Sequence, residues 1–117
     1  MLTAIEVVQQ FLRPRVSVLV TSKVPRHRPK VFIRVDQASP VRTNLVTDRT
    51  LVIIQVYATK VDECVDLIQQ IREEMFGIDM LDNVFDWDEQ AGPVEFPDPD
   101  TKNIIRWQFT GFLYHAV

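Results

Sequence analysis

The stretch Thr50 to Ala58 (TLVIIQVYA) limits this chain more than any other feature. A run this apolar and β-branched predicts a strand at the centre of a sheet. It is followed at once by a helical pattern. From Lys60 to Phe76, Val61, Val65, Ile68, Ile71 and Met75 share one face, while Asp62, Glu63, Asp66, Gln69, Arg72 and Glu73 share the other. Thr59 is placed to cap that helix, and Gly77 to end it in a left-handed conformation. The last segment, Ile104 to His115, alternates. Ile105, Trp107, Phe109, Gly111 and Leu113 point one way and Arg106, Gln108 and Thr110 the other, which predicts a half-buried strand with a wetted outer face.

The first half of the chain reads in the same terms. Thr3 with Glu6 forms a capping-box pair at the start of a helix striped by Ile5, Val8 and Leu12, and Pro14 ends it. Val16 to Val20 and Val31 to Asp36 read as strands, separated by the polar loop Thr21 to Lys30 (TSKVPRHRPK) with its two prolines. Gln37 to Asp48 reads as a loop. Ile78 to Asn103 is long, acidic and rich in turn formers. A loop of that length is commonly functional, disordered or the cover for a short strand, and Val84 to Trp87 and Val94 to Phe96 are the segments able to supply one. The expected fold is α+β, a single domain over residues 1–117. Two helices pack on one face of a four- to five-stranded, mainly antiparallel (mixed) sheet. The open edges of such a sheet, with Phe112 and Tyr114 on its outer face, favour an oligomer.

Composition closes off several classes. With 117 residues, 46% of them apolar, the chain suits one folded domain and is too apolar for general disorder. No uncharged apolar run reaches about 18 residues, which argues against a membrane span. The opening MLTAIEVVQQF carries Glu6 and has neither a basic lead nor a small-residue cleavage site, so it does not read as a signal peptide. Cys64 is the single cysteine and has no internal disulfide partner. With only His27 and His115 beside it, a Cys/His zinc site lacks ligands. Gly77, Gly92 and Gly111 are too far apart for a phosphate-binding or dinucleotide-binding loop.

The net charge of −3 conceals a division. Residues 1–49 hold nine Arg/Lys against three Asp/Glu, a net of +6; residues 50–117 hold four against thirteen, a net of −9. Such asymmetry accompanies nucleic-acid contact or charge-matched association, and the acidic half would repel phosphate. In the basic loop, Arg26, Arg28 and Lys30 recur at every second residue, without the interleaved aromatics of a base-stacking surface. Cys64 lies between acids in a helix with no histidine nearby, which reads as a structural thiol. His27, between two arginines, and His115, at a strand end, read as surface residues. Asp86, Asp88, Glu89, Asp98 and Asp100 lack the spacing of a calcium loop, and an Asp-Pro turn explains the last two. No catalytic assembly emerges, so an enzyme is not expected and neither is a cofactor.

Taken in order, the capped first helix, Val-rich strand, basic loop and amphipathic second helix lead to Ala91-Gly92-Pro93-Val94-Glu95-Phe96-Pro97-Asp98-Pro99-Asp100 and the strand Ile105-Arg106-Trp107-Gln108-Phe109. This layout, over essentially the full chain, resembles the small tail terminator proteins of long-tailed phages and prophages, especially those of actinobacteria. The resemblance implies a homo-oligomeric ring of six subunits that caps the tail tube and meets the head connector at the tail–neck junction of the virion. It implies no enzymatic activity, no cofactor, no membrane, and DNA passing the lumen without specific binding. Arg26, Arg28 and Lys30 are then candidates for contact with a neighbouring subunit or the tube lumen. Asp86, Asp88, Glu89, Asp98 and Asp100 are candidates for the opposing patch, with Trp87 and Phe96 either as aromatic anchors or tucked back into the domain core. Another head–tail joining, neck or tail-completion protein, or a small non-catalytic αβ binding subunit, remains the alternative.

Overall fold

The computed structural model describes residues 2–100 and 103–117. Helix α1 spans Ala4–Leu12 and helix α2 Val61–Met75. Among the described residues, six strands form one mixed sheet: β1 Leu19–Thr21, β2 Phe32–Gln37, β3 Val41–Arg42, β4 Thr47–Ala58, β5 Val84–Glu95 and β6 Ile105–Ala116. Their order is β1-β2-β4-β6-β5, with the short β3 beside β4. Only β1–β2 is parallel; every other pairing is antiparallel. The α+β class is as expected, with one strand more than the sequence reading allowed.

The capping box forms as read. The Glu6 amide donates to Thr3 Oγ1 at 3.2 Å and the Thr3 amide donates to Glu6 Oε1 at 3.2 Å. Pro14 carries the chain out of α1 through a 3-10 turn over Arg13–Arg15. That turn shortens the expected Val16–Val20 strand to Leu19–Thr21. Helix α2 differs at both ends. Its cap residue is Lys60, which makes no side-chain cap bond, and Asp62 and Glu63 complement the helix dipole in the first turn instead. Gly77 has φ −101°, because the helix closes through a further 3-10 turn, Ile78–Met80, and needs no left-handed residue. The buried stripe is Cys64, Ile68, Ile71 and Met75; Val61 is exposed.

The largest correction concerns residues 78–103. Nearly half of this segment is β5, a twelve-residue edge strand. Irregularities in its pairing with β6 fall between Val84 and Asp86, Glu89 and Ala91, and Ala91 and Val94. The last of these accommodates Gly92 and Pro93, since proline donates nothing to a ladder and is tolerated at a bulge on an edge. Asn103, with φ 63°, then turns the chain into β6 in the left-handed region that asparagine tolerates.

Helix α1 lies over β2, β1 and β4, and α2 over β4, β6 and β5, all on one face. There the core gathers Val8, Phe11 and Leu12 with Ile33, Val35, Ile54, Val56, Ile68, Ile71, Phe109 and Leu113. Gly111 faces this core by the alternation of β6, and it is glycine because Trp87 occupies the space above it. A Cβ at that position would stand 2.5 Å from two indole carbons and 3.0 Å from the Asp88 carbonyl oxygen. The Trp87 ring also meets Phe109 edge-on, centroids 6.5 Å apart. Across the sheet, no helix among the described residues lies on the second face.

Candidate functional site

On that second face, register aligns Phe32 with Tyr57 and Tyr57 with Arg106. Phe32 and Tyr57 stack with centroids 4.4 Å apart, and both are fully buried. The turn after β5 closes over Tyr57. Arg106 Nε donates to the Phe96 carbonyl at 2.6 Å and Nη2 to the Pro97 carbonyl at 3.2 Å. Nη1 donates to the Tyr57 hydroxyl at 3.3 Å and lies 3.6 Å from Asp98 Oδ2, to which that hydroxyl donates at 3.5 Å. Arg106 is only 7% exposed. The alternation that predicted a wetted Arg106 gave the right face, but the Phe96–Asp98 turn folds over it. A guanidinium suits the position because its fixed fork of donors satisfies two carbonyls, a hydroxyl and a carboxylate together.

Beside this hub, the basic loop and the acidic turn line one open cleft of about 440 Å³, formed by Val24, Arg28, Arg34, Asp98, Pro99, Asp100 and Arg106. Its floor is organised by Arg34, which pairs with Asp36 at 3.5 Å and donates to the Ser22 carbonyl and Gln55 at 3.4 Å each. The Asp100 amide donates to Asp98 Oδ1 at 2.9 Å, the side-chain turn that Asp-Pro-Asp favours. Two segments of opposite sign, far apart in sequence, thus meet within one chain.

The ten residues singled out from the sequence separate accordingly. Arg28, Asp98 and Asp100 share the cleft, while Arg26 and Lys30 stand exposed on the loop. Phe96 is half exposed, with the Arg106 guanidinium 5.1 Å above its ring. Asp86 and Asp88 are exposed at the far border of the sheet. Glu89 is committed elsewhere. It accepts from Arg72 Nε at 2.6 Å and Nη2 at 2.8 Å, fastening α2 to β5 and raising the guanidinium pKa above its usual value. Of the two places open to Trp87, interface anchor or core, it takes the core: it is 8% exposed and packs over Gly111. Its place on a strand puts it on the inner face, which a loop assignment could not reveal. The sequence reading also missed Tyr57 and Arg106. The available signal was an arginine alternating with aromatics directly after a Pro-Asp-Pro-Asp turn.

Further along the same face, Leu51, Ile53, Phe112 and Tyr114 are half-buried and face away from the helices. The Arg49 guanidinium lies 4.6 Å from the Phe112 ring. No described helix is long and apolar enough to cross a membrane. Among the described residues no group of three or more His, Cys, Asp or Glu is placed to hold a metal. His115 is buried, a correction to its surface reading, and its Nε2 lies 2.8 Å from Thr50 Oγ1. It helps line a cavity of about 130 Å³ with Leu2, Ala4, Pro40 and Ala116.

Cys64 Sγ donates to the Val56 carbonyl at 3.3 Å, and burial pushes the thiol pKa up from 9.0 to about 11. Thiolate is the reactive form, so the folded protein is expected to resist iodoacetamide at pH 8 and to label only on unfolding, read by mass spectrometry. The folded state holds this proton more tightly than the unfolded one. Its stabilising effect is therefore complete below pH 9 and lost as pH rises toward 11. Cys64→Val should flatten that alkaline decline.

No model of a known protein family matches this chain. No curated protein matches it either.

Proposed function

We propose that this chain is a structural virion protein that caps a phage tail tube as a ring and joins it to the head connector, ending tail elongation. The observation that carries the reading is the bare sheet face. Long strands display Leu51, Ile53, Phe112 and Tyr114 without a helix over them, bordered by charged segments at the sheet's ends. Contiguous half-exposed apolar surface rimmed by charge is the mark of a surface that protein covers. The layout that resembles tail terminators supplies the kind of partner: further copies of itself, the tube protein and a connector or stopper protein. The role needs no chemistry, only a rigid, complementary shape.

The test is to add the purified chain to polymerising tail tube protein and follow the tubes by negative-stain electron microscopy. The expected result is a density capping one end of each tube and an arrest of growth. Tubes that lengthen unchanged and carry no terminal density would overturn the reading. A small non-catalytic binding subunit is favoured by one observation, the cavity beside the start of α1. That alternative predicts saturable stabilisation by a small apolar ligand in thermal melts. Another neck or tail-completion protein would bind the connector yet leave tube growth unaffected.

A further inference from the structure

Topology converts the charge division of the sequence into a division across the width of the molecule. Residues 2–37, which supply α1, β1, the basic loop and β2, hold seven Arg/Lys against Glu6 and Asp36, a net of +5. Residues 61–95, which supply α2 and β5, hold eleven acids against Arg72 alone, a net of −10. The strands β1 and β5 are the two opposite borders of the sheet. They lie four strand spacings apart, ~19 Å. The helix layer is polarised in the same sense, since α1 lies over β1 and β2 while the acidic α2 lies over β4, β6 and β5.

Neither border is suited to pairing backbone to backbone. The β5 edge is interrupted by three irregularities and carries Asp86 and Asp88, and β1 pairs over only three residues. Charges and bulges of this kind prevent ladder extension. Both borders still carry apolar contact surface: Phe85 and Val94 are exposed on β5, and Leu19 on β1. A two-fold contact would set one border against itself and place like charges together. Only the two different borders match, and a contact between different patches repeats from copy to copy.

We propose that the basic border of one copy, through Lys23, Arg26 and Lys30, docks against the acidic β5 border of the next copy, through Asp82, Asp86, Asp88 and Glu95. The partner is a second copy of this chain, and the contact is made by side chains. Closure of the series into a ring rests on the function proposed above; the contact itself rests on the charge placement.

Two variants test it. Arg26→Glu with Lys30→Glu sets new acids against Asp86 and Asp88 of the next copy, and Asp86→Lys with Asp88→Lys sets new bases against Arg26 and Lys30. All four positions are exposed, so each variant should fold with unchanged circular dichroism. At low salt each alone is expected to fall to the mass of one chain, 13.6 kDa. An equimolar mixture should restore the wild-type mass, because acidic and basic copies alternate in any ring with an even number of subunits. Either variant keeping the wild-type mass, or a mixture that fails to recover it, overturns the contact and leaves the ring reading standing. A mixture that recovers association only as an open series of sizes supports the contact and overturns the ring. A wild-type chain that remains monomeric at low salt and high concentration overturns the contact directly.

Discussion

Arg106→Ala is expected to destabilise the folded chain by about 3–5 kcal/mol, the scale for removing one member of a buried ion pair. For a domain of this size that corresponds to a fall in melting temperature of roughly 10–20 °C. The loss is large because one side chain serves four partners. Without it, the carbonyls of Phe96 and Pro97, the Tyr57 hydroxyl and the Asp98 carboxylate lose their shared donor. The local consequence is specific: the turn over Tyr57 should loosen, exposing a ring that is fully buried against Phe32 in the native chain. Hydrogen exchange should therefore quicken first at residues 96–100 and 105–108. Arg106→Lys keeps the charge but not the fork, and should recover only part of the stability. A variant that melts within 2 °C of wild type would contradict the hub role.

Gly111→Val is the second large effect, and its cause is steric. A Cβ already meets the Trp87 indole at 2.5 Å, and a branched side chain adds two more carbons in the same space. Overpacking of this kind costs about 1–3 kcal/mol for small insertions, and the valine should lie at or beyond the upper end. The diagnostic readout is coupling. If the clash with Trp87 is the cause, Gly111→Ala should cost less in a Trp87→Leu background than in wild type. The interaction energy expected for such neighbours is about 0.5–3 kcal/mol. Equal costs in both backgrounds would show that the indole is not what excludes the side chain. Trp87 alone should resist truncation poorly, since removing a buried indole costs about 3–5 kcal/mol.

These two residues also mark where the sequence was legible. Gly111 falls in the alternating phase of β6, so its inward orientation could be read directly. The reason it is glycine could not, because Trp87 sits in a segment whose acids, Gly92 and Pro93 disguise a strand as a loop. Edge strands carry such residues to resist unwanted pairing, and the same residues erase the apolar alternation by which strands are recognised. The central strand β4 and the second helix lack that conflict and were readable within a few residues. At the charged end, both loops were identified, but nothing local told that Asp98 and Asp100 return to Arg28. That meeting depends on β2, β4 and β6 lying side by side, a long-range pairing. The opposite placement of Asp86 and Asp88 likewise follows only from strand order.

The most direct test of the account is the solution mass of the wild-type chain by light scattering, followed from about 20 mM to 1 M salt at several protein concentrations. Screening lengths shorten from roughly 20 Å to 3 Å over that range, enough to dissolve an association held by exposed charges. The account predicts a species of single mass, near six copies, at low salt that returns to one copy as salt rises. A two-copy species indifferent to salt would contradict it, because a closed two-fold pair would have to set like borders against each other.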